Sequence, residues 1–286
     1  MRARSPASSA NLGPGFDVLA VALALYVEVE VTPADRLVVS ATGCGSELPA
    51  DATHLAAQIA VEVVGHDRLH IRVHSDIPVG RGLGSSAALA VATAAAAGAA
   101  DPLAIGARVD GHPENAAASA LGGLVAATMV AGRPVTRRLE LDPALRFVVA
   151  VPDRALATKE ARAALPAQVE HTDARFNLGR MALTVAGLAD HRLLGQEAFE
   201  DRLHQDARSS LFPEAPGILA DMIGAGALGA CWSGAGPSLL AVCAAEDAAA
   251  VQAATGSALQ ARSVPGRVLL LDADREGVTV LGDAGH

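Results

Sequence analysis

A run of alternating glycines is the feature of this sequence that most restricts its fold. The segment 78–88 reads Pro-Val-Gly-Arg-Gly-Leu-Gly-Ser-Ser-Ala-Ala and opens an alanine-rich run. Glycine lets the backbone turn tightly and approach a ligand closely, and alanine is the strongest helix former. The segment therefore predicts a loop that ends at the N-terminus of a helix, where free N–H groups and the helix dipole favour a phosphate.

The spacing of this loop differs from two common nucleotide-binding motifs. A Walker A loop needs a lysine before its serine, and a dinucleotide fingerprint needs another glycine spacing. Ser85 and Ser86 can donate hydroxyl hydrogen bonds to phosphate or ligate a metal that bridges the phosphates. The alternative is an ordinary turn in which one of these serines caps a helix.

Composition excludes several classes of protein. The chain of 286 residues is 51% hydrophobic, is only 19% charged and carries a formal net charge of -9, which predicts a folded globular protein and disfavours nucleic-acid binding. The basic cluster 133–138 is typical of a solvated strand edge. Cys44, Cys231 and Cys243 form neither a metal-ligand pattern nor a disulfide framework, so we expect a reducing, cytoplasmic location.

Neither of two apolar stretches predicts a membrane span. The alanine-rich run 87–100 is too short to cross a hydrocarbon core of about 30 Å at about 1.5 Å per residue. The run 18–27 leads into Val27-Glu-Val-Glu-Val31, whose alternation is typical of a half-buried strand rather than a signal peptide.

The order of strands and helices favours an α+β fold. We place a division of the chain near residue 145, because the pattern of predicted strands and helices changes after Pro143. Alternation and helical spacing predict strands at 27–31, 37–41, 69–74, 125–130, 147–151 and 267–271, a glycine-rich strand pair around 231–242, and helices at 55–64, after 84, from 111, within 159–194 and at 246–259.

Three motifs resemble those of the GHMP kinases, the family of galactokinase and of homoserine, mevalonate and phosphomevalonate kinases. Segment 78–88 resembles the family's phosphate-binding motif, Ser5–Asp17 its first motif and Ser233–Ser238 its third, and they occur in family order. The resemblance implies a two-domain fold. An N-terminal ATP-binding domain (1–145) with a mixed sheet would carry the phosphate loop, and a ferredoxin-like α/β sandwich (146–286) would follow.

The same resemblance implies the cofactors ATP and Mg²⁺. Ser86 and Asp110 would hold the metal ion, and a homodimer is expected. The ATP-binding residues implied are Pro78, Val79, Gly80, Arg81, Gly82, Leu83, Gly84, Ser85, Ser86, Ala87 and Ala88.

Further segments are similar to the homoserine-phosphorylating members of the family. These are 111–115, 157–168 and 201–208, while 173–180 is closest to actinobacterial sequences. The resemblance implies L-homoserine as substrate. It implies substrate contacts from Asn11, Asp17, His112, Glu114, Asn115, Arg162 and Arg208, and catalytic roles for Thr158, Asn115 and Asn11.

The chemistry of homoserine fits this set. Its carboxylate needs forked, permanently charged donors, which Arg162 and Arg208 supply, and its ammonium needs a carboxylate such as Glu114. Taken singly, each arginine is better explained as a surface charge, and Glu114 as a first-turn partner of the helix dipole. Their joint occurrence in register favours the functional interpretation.

Two positions depart from the family pattern. Asp110 stands where glutamate is usual, and Glu114 stands where aspartate is usual. Some relatives have an aspartate base at the position of Asn115, whose amide cannot take a proton, so we expect attack without a dedicated base. Two alternatives stay open: a kinase for another small hydroxy acid, and a non-catalytic sensor of the same fold.

Overall fold

A computed structural model of the chain describes residues 1–282 and shows two open sheets. The first has seven strands in the order β11-β1-β2-β4-β3, with β5 beside β2 and β6 beside β5. The pair β3–β4 is parallel and the other pairs are antiparallel, so the predicted mixed sheet is confirmed. Its strands are β1 (Arg2–Ala10), β2 (Leu19–Pro33), β3 (Val38–Gly43), β4 (Leu69–Ser75), β5 (Leu124–Val130), β6 (Arg133–Leu139) and β11 (Thr279–Leu281).

Four helices pack with this sheet. They are α1 (Leu55–Val64), α2 (Ser85–Ala96), α3 (Pro102–Asp110) and α4 (Glu114–Leu121). The central one, α2, contacts β1 and β2 as well as the other three helices. Most of its residues are alanines that are fully buried, and such small side chains allow close approach from every side. This packing fixes the N-terminus of α2, and with it the glycine loop, at one end of the sheet.

The second sheet has the strand order of the ferredoxin-like sandwich that the family resemblance implies. Its four antiparallel strands run β10-β7-β9-β8, where β7 is Leu145–Pro152, β8 Gly229–Trp232, β9 Leu239–Ala244 and β10 Gly266–Leu271. Helix α8 (Ala215–Gly224) precedes β8, and α9 (Ala248–Ala261) joins β9 to β10. The long connection from β7 to β8 holds α5 (Thr158–Ala163), α6 (His171–Ala189) and α7 (Gln205–Arg208).

The C-terminal part of the chain leaves the second sheet and adds a strand to the first. Strand β7 begins at Leu145, whereas β11 returns to the first sheet and pairs antiparallel with β1. Leu23 of β2 also forms an isolated bridge with Ala273. The division of the chain at 145/146 therefore remains a prediction.

Several elements differ from the sequence expectations. The helix at 55–64 has the predicted bounds, but the helix expected from 111 begins at Glu114, with Pro113 just before it. Strand β1 was not predicted, because its small polar residues lack alternation and its structure depends on pairing with β2. The basic cluster lies on β6, an exposed strand. None of the helices within residues 1–282 is both long enough and apolar enough to span a bilayer.

Candidate active site

One cavity collects the residues that the sequence singles out for chemistry. It lies where the glycine loop, the first motif and the third motif meet. The cavity is lined by all ten residues assigned above to catalysis, substrate or metal: Asn11, Asp17, Ser86, Asp110, His112, Glu114, Asn115, Thr158, Arg162 and Arg208.

The glycine loop supplies one wall of this cavity. Residues 80–86 line it, whereas Ala87 and Ala88 are buried in α2 and Val79 lines a neighbouring cavity. Gly80, Gly82 and Gly84 all adopt left-handed φ values of 65°, 73° and 63°. Pro78, the first residue of the predicted set, lines neither cavity.

The N-terminus of α2 is left open for a ligand. Its cap residue is Gly84, which has no side chain that could cap the helix, and Ser85 is already the first helical residue, so the alternative of a serine N-cap is wrong. The first N–H groups of α2 and the hydroxyls of Ser85 and Ser86 lie at the cavity, where the helix dipole favours negative charge. This arrangement suits a phosphate.

The three motifs are joined by short hydrogen bonds. Ser233 donates from Oγ to the carbonyl oxygen of Gly82 at 2.7 Å and shares a 2.8 Å hydrogen bond with Ser9 Oγ. A Cβ on Gly82 would lie 2.2 Å from the carbonyl oxygen of Ser233, so only glycine fits there. The Ser233 hydroxyl and the close approach of the two backbones thus hold the loop against the third motif.

The Arg81 side chain stabilises the loop by hydrogen bonds to backbone carbonyl groups. Its guanidinium donates to the carbonyl oxygens of Pro152 at 2.9 Å and Val79 at 3.0 Å, and also to that of Asp153. These bonds occupy the side chain at the end of β7. The ATP contact that the resemblance implies for Arg81 thus stays a prediction, and the loop backbone is the part of this residue left free to make it.

The first motif forms a strained turn. Asn11 and Asp17 have left-handed φ values of 74° and 56°. Asn11 accepts the backbone N–H of Asp17 at 3.1 Å and donates from Nδ2 to the carbonyl oxygen of Gly234 at 2.8 Å. The Asp17 carboxylate receives two bonds from Arg162, at 2.7 and 3.0 Å, which raise the pKa of that guanidinium.

Arg208 lies beside Arg162 but is buried. Its Nη1 donates to the carbonyl oxygen of Gly234 and to His204 Nδ1, both at 3.0 Å. Burial, followed by repulsion from Arg162, lowers the pKa of Arg208 to about 10. Two neighbouring guanidinium groups that repel each other suit an anionic ligand, whose charge would favour both of them.

Acidic groups also line the cavity. Glu114 is 1% exposed, and its Oε1 lies 3.0 Å from His112 Nδ1. The other oxygen, Oε2, is buried without a hydrogen-bond partner in residues 1–282. Burial raises the pKa of Asp110, and the neighbouring Glu114 carboxylate raises the pKa of His112. An unpaired buried carboxylate oxygen calls for a cationic ligand.

Asn115 and Thr158 complete the polar lining. Asn115 Oδ1 accepts from Ser8 Oγ at 2.9 Å, and its Nδ2 donates to Glu114 Oε1 at 3.3 Å and Asp110 Oδ2 at 3.4 Å. The amide is thus fixed with its nitrogen towards the two carboxylates. Thr158 is the first residue of α5 and is exposed at the cavity.

A second cavity adjoins the phosphate loop and was not predicted as such. Its volume is about 200 Å³, it shares Ser85 and Ser86 with the first cavity, and one wall includes Leu55 of α1. Its other walls combine side chains from β2, β3, β4 and α2 with the loop after β3. The lining is mainly apolar, and its larger apolar members are Val27, Leu48, Leu55, Val73, Val79 and Leu89.

The fold and the cavity define a phosphate-binding α+β protein, and sequence comparison identifies its family. The model for the GHMP kinases N terminal domain matches residues 50–123, and the model for the GHMP kinases C terminal domain matches residues 184–259. The chain belongs to the GHMP kinase family.

Three similar proteins that cover nearly the whole chain are named homoserine kinase. The homoserine kinase of Desulfitobacterium hafniense is 36% identical over 98% of this chain and 100% of its own length. That of Streptomyces coelicolor is 39% identical over 98% and 94% of the two chains. The crystal structure of homoserine kinase from Cytophaga hutchinsonii superposes with a TM-score of 0.87 at 28% identity, over 98% of this chain and 97% of that one.

Proposed function

We propose that this chain transfers the γ-phosphoryl group of ATP to the side-chain hydroxyl of L-homoserine, forming O-phospho-L-homoserine for threonine biosynthesis. The observation that carries the proposal is the division of charge in the first cavity. Glu114, whose Oε2 has no hydrogen-bond partner within residues 1–282, lines the same cavity as Arg162 and Arg208. A zwitterion with a carboxylate and an ammonium satisfies both sides, and the phosphate loop adjoins it.

The nucleotide is assigned to the two cavities together. The triphosphate lies on residues 80–86 and the N-terminus of α2, whose N–H groups and dipole stabilise its charge. The nucleoside enters the apolar second cavity, which begins at Ser85 and Ser86. Both serines line both cavities, so a single nucleotide can extend from one cavity into the other.

Ser86 and Asp110 fit a magnesium ion. They offer hydroxyl and carboxylate oxygens at one cavity, the hard donors that Mg²⁺ prefers. Burial raises the pKa of Asp110, so a neighbouring cation would offset the cost of its charge. When bound, the ion neutralises charge on the phosphates.

The protein's part in the transfer is to position the two reactants. Arg162 and Arg208 bind the substrate carboxylate, Glu114 binds the ammonium, and Thr158 and Asn11 orient the hydroxyl. Asn115 is an amide directed at two carboxylates, so it does not accept the proton. The hydroxyl attacks the γ-phosphorus as the bond to ADP breaks, and its proton leaves to a phosphate oxygen or water. Alignment of this kind supplies most of the rate in phosphoryl transfer.

Glu114 distinguishes the proposed substrate from the alternatives. A kinase for shikimate or a mevalonate-like acid needs the arginines but no buried carboxylate opposite them. A non-catalytic sensor could lose the phosphate loop and the acidic residue proposed to bind the metal, whereas in this chain residues 80–86 and Asp110 line the same cavity.

We also propose a homodimer that works in the cytoplasm. Leu178, Leu183 and Leu193, on and just after α6, are 70%, 44% and 66% exposed, and burial between two copies would remove this apolar surface from water. The three cysteines are free thiols, as suits a reducing compartment. Light scattering should report twice the chain mass of 28.8 kDa.

The test is ATP turnover with L-homoserine, L-serine, L-threonine, shikimate and mevalonate in parallel. Fast turnover with homoserine alone is expected. Glu114→Gln should lower kcat/KM for homoserine by about a hundredfold, the effect of removing one partner of a buried charge pair. It should change turnover of gamma-hydroxybutyrate, which lacks the ammonium, far less. Turnover with another compound, or with none despite ATP binding, would refute the proposal.

A further inference from the structure

A buried histidine outside the first cavity bridges two parts of the site. His204 is 1% exposed and begins the short segment that carries Arg208. Its Nε2 lies 2.8 Å from the carbonyl oxygen of Gly13, and its Nδ1 lies 3.0 Å from Nη1 of Arg208. The ring stacks on Phe16, with centroids 5.0 Å apart and planes 25° apart. His204 therefore contacts the turn of the first motif and the second arginine at once.

The two contacts fix the tautomer of this ring. A carbonyl oxygen only accepts, so Nε2 carries the hydrogen that is donated to Gly13. A guanidinium only donates, so Nδ1 must be an unprotonated acceptor for Arg208. Burial lowers the pKa of His204, which keeps the ring neutral beside the cation. Asp201 holds the segment by accepting the backbone N–H of His204 at 2.8 Å.

The contacts of Arg208 leave one edge of its guanidinium available. Nε donates to the carbonyl oxygen of Ala161 at 3.4 Å, and Nη1 is shared between His204 and the carbonyl oxygen of Gly234. The hydrogen bonds that Arg208 donates within residues 1–282 come from Nε and Nη1 and none from Nη2, and the residue lines the cavity. The guanidinium is planar, and three acceptors hold two of its nitrogens, Nε and Nη1. The direction of the third nitrogen, Nη2, is therefore fixed as well.

We propose that His204 is a positioning residue, which orients the Arg208 guanidinium so that Nη2 meets the carboxylate of the substrate. The inference rests on the proposed function, because it takes that carboxylate as the ligand of Arg208. It adds a residue that does not line the cavity. A purely structural role would also bury His204. The experiment must therefore measure the interaction between Arg208 and the substrate carboxylate.

The test compares two substrates in matched variants. His204→Phe keeps an aromatic ring against Phe16 but removes the acceptor, whereas His204→Asn keeps an acceptor close to the position of Nδ1. The measured quantity is the ratio of kcat/KM for L-homoserine to that for homoserinol, which lacks the carboxylate. The ratio should fall about tenfold in His204→Phe, as expected for a weakened charge-assisted bond, and recover largely in His204→Asn. An equal loss for both substrates with an unchanged ratio would overturn the inference.

A measurement on the native chain covers the case in which the phenylalanine variant does not fold. Nitrogen-15 NMR of histidine-labelled protein should show His204 as the Nε2–H tautomer, unchanged across the neutral pH range. An Nδ1–H tautomer or an ordinary titration would overturn the inference. If the wild-type chain does not phosphorylate homoserine, the proposed function fails, while the tautomer still reports on the contact between His204 and Arg208.

Discussion

Arg162 and Asp17 form a two-point ion pair across 145 residues of sequence, with nitrogen–oxygen distances of 2.7 and 3.0 Å. The pair joins α5 to the left-handed turn of the first motif. Both side chains are about one-third exposed, so solvent screens the pair and its main effect is on geometry. Asp17 fixes one edge of the guanidinium and offsets the repulsion between Arg162 and Arg208 before substrate binds.

Asp17→Asn should therefore weaken homoserine binding. With the carboxylate gone, Arg162 loses its two-point acceptor, and KM for homoserine should rise about tenfold. Arg162→Lys should raise KM to a similar degree, since an ammonium cannot form the fork. Because the two residues act as one unit, the double variant should fall short of the product of the single effects, with a coupling energy of about 1 kcal/mol.

Steady-state kinetics of the four proteins gives this cycle directly. Asp35→Asn is the matched control, because Asp35 is an exposed aspartate outside the cavity. Independent, fully multiplicative effects of the two substitutions would contradict a shared role.

Gly82→Ala should damage the phosphate loop. Gly82 has a φ of 73°, and an added Cβ would lie 2.2 Å from the carbonyl oxygen of Ser233. The loop must shift away from the third motif, so we expect a loss of about 2 kcal/mol in stability and a rise in KM for ATP of at least about tenfold. Urea unfolding and ATP kinetics measure both effects.

A second glycine provides the control for this substitution. Gly256 lies within α9 and has no heavy atom within 4 Å of an added Cβ. Gly256→Ala should stabilise the protein by about 0.5–1 kcal/mol and leave ATP kinetics unchanged. Wild-type behaviour of Gly82→Ala would show that the close approach to Ser233 is not required.

Sequence motifs locate the cavity well because most of its residues lie within short contiguous segments. Local spacing is enough to predict that 78–88 turns into a helix, and α2 begins at Ser85. The same holds for 111–115, where Pro113 precedes a helix that carries Glu114 and Asn115.

Contacts between distant segments cannot be predicted in this way. The buried bridge from Gly13 through His204 to Arg208 depends on how the second half of the chain packs on the first. Strand β11 is likewise formed by pairing with β1, across nearly the whole sequence. The second cavity has walls from separate strands and helices, and no single segment of the sequence contains enough of them to reveal it.

Asp142 should make stability depend on acid pH. Its carboxylate accepts the backbone N–H groups of His191 and Ala144, both at 2.9 Å, and contacts His191 Nδ1 at 2.6 Å. These bonds lower the pKa of Asp142 to about 2 from an ordinary 3.8. A depressed carboxyl pKa adds stability that is fully present above the unfolded value and is lost as the pH falls from 3.8 towards 2.

Asp142→Asn should thus lower the urea midpoint at neutral pH, and the difference from wild type should shrink through that acid range. Glu140→Gln, at a nearby exposed position, should show no such change. A midpoint difference that stays constant down to the acid transition would mean that packing, not the charge, is what Asp142 contributes.

Cys44 allows the nucleoside assignment to be tested chemically. It is half-buried and lines the second cavity, whereas Cys231 and Cys243 are buried. Burial also raises the pKa of Cys231 to about 12 and that of Cys243 to about 11, so their reactive thiolate forms are scarce at neutral pH. Iodoacetamide should therefore modify one cysteine in the native protein, at Cys44.

ATP should slow this modification, because a nucleoside in the second cavity covers the Cys44 thiol. With nucleotide at about ten times its Kd, only about a tenth of the protein is free, so the alkylation rate should fall about tenfold. Homoserine alone should not protect, since its site is the first cavity, and Cys44→Ser should take up no label. Mass spectrometry over a time course provides the rates. Equal rates with and without saturating ATP would place the nucleoside outside this cavity, whereas protection by both ligands would mean that the whole site closes around either one.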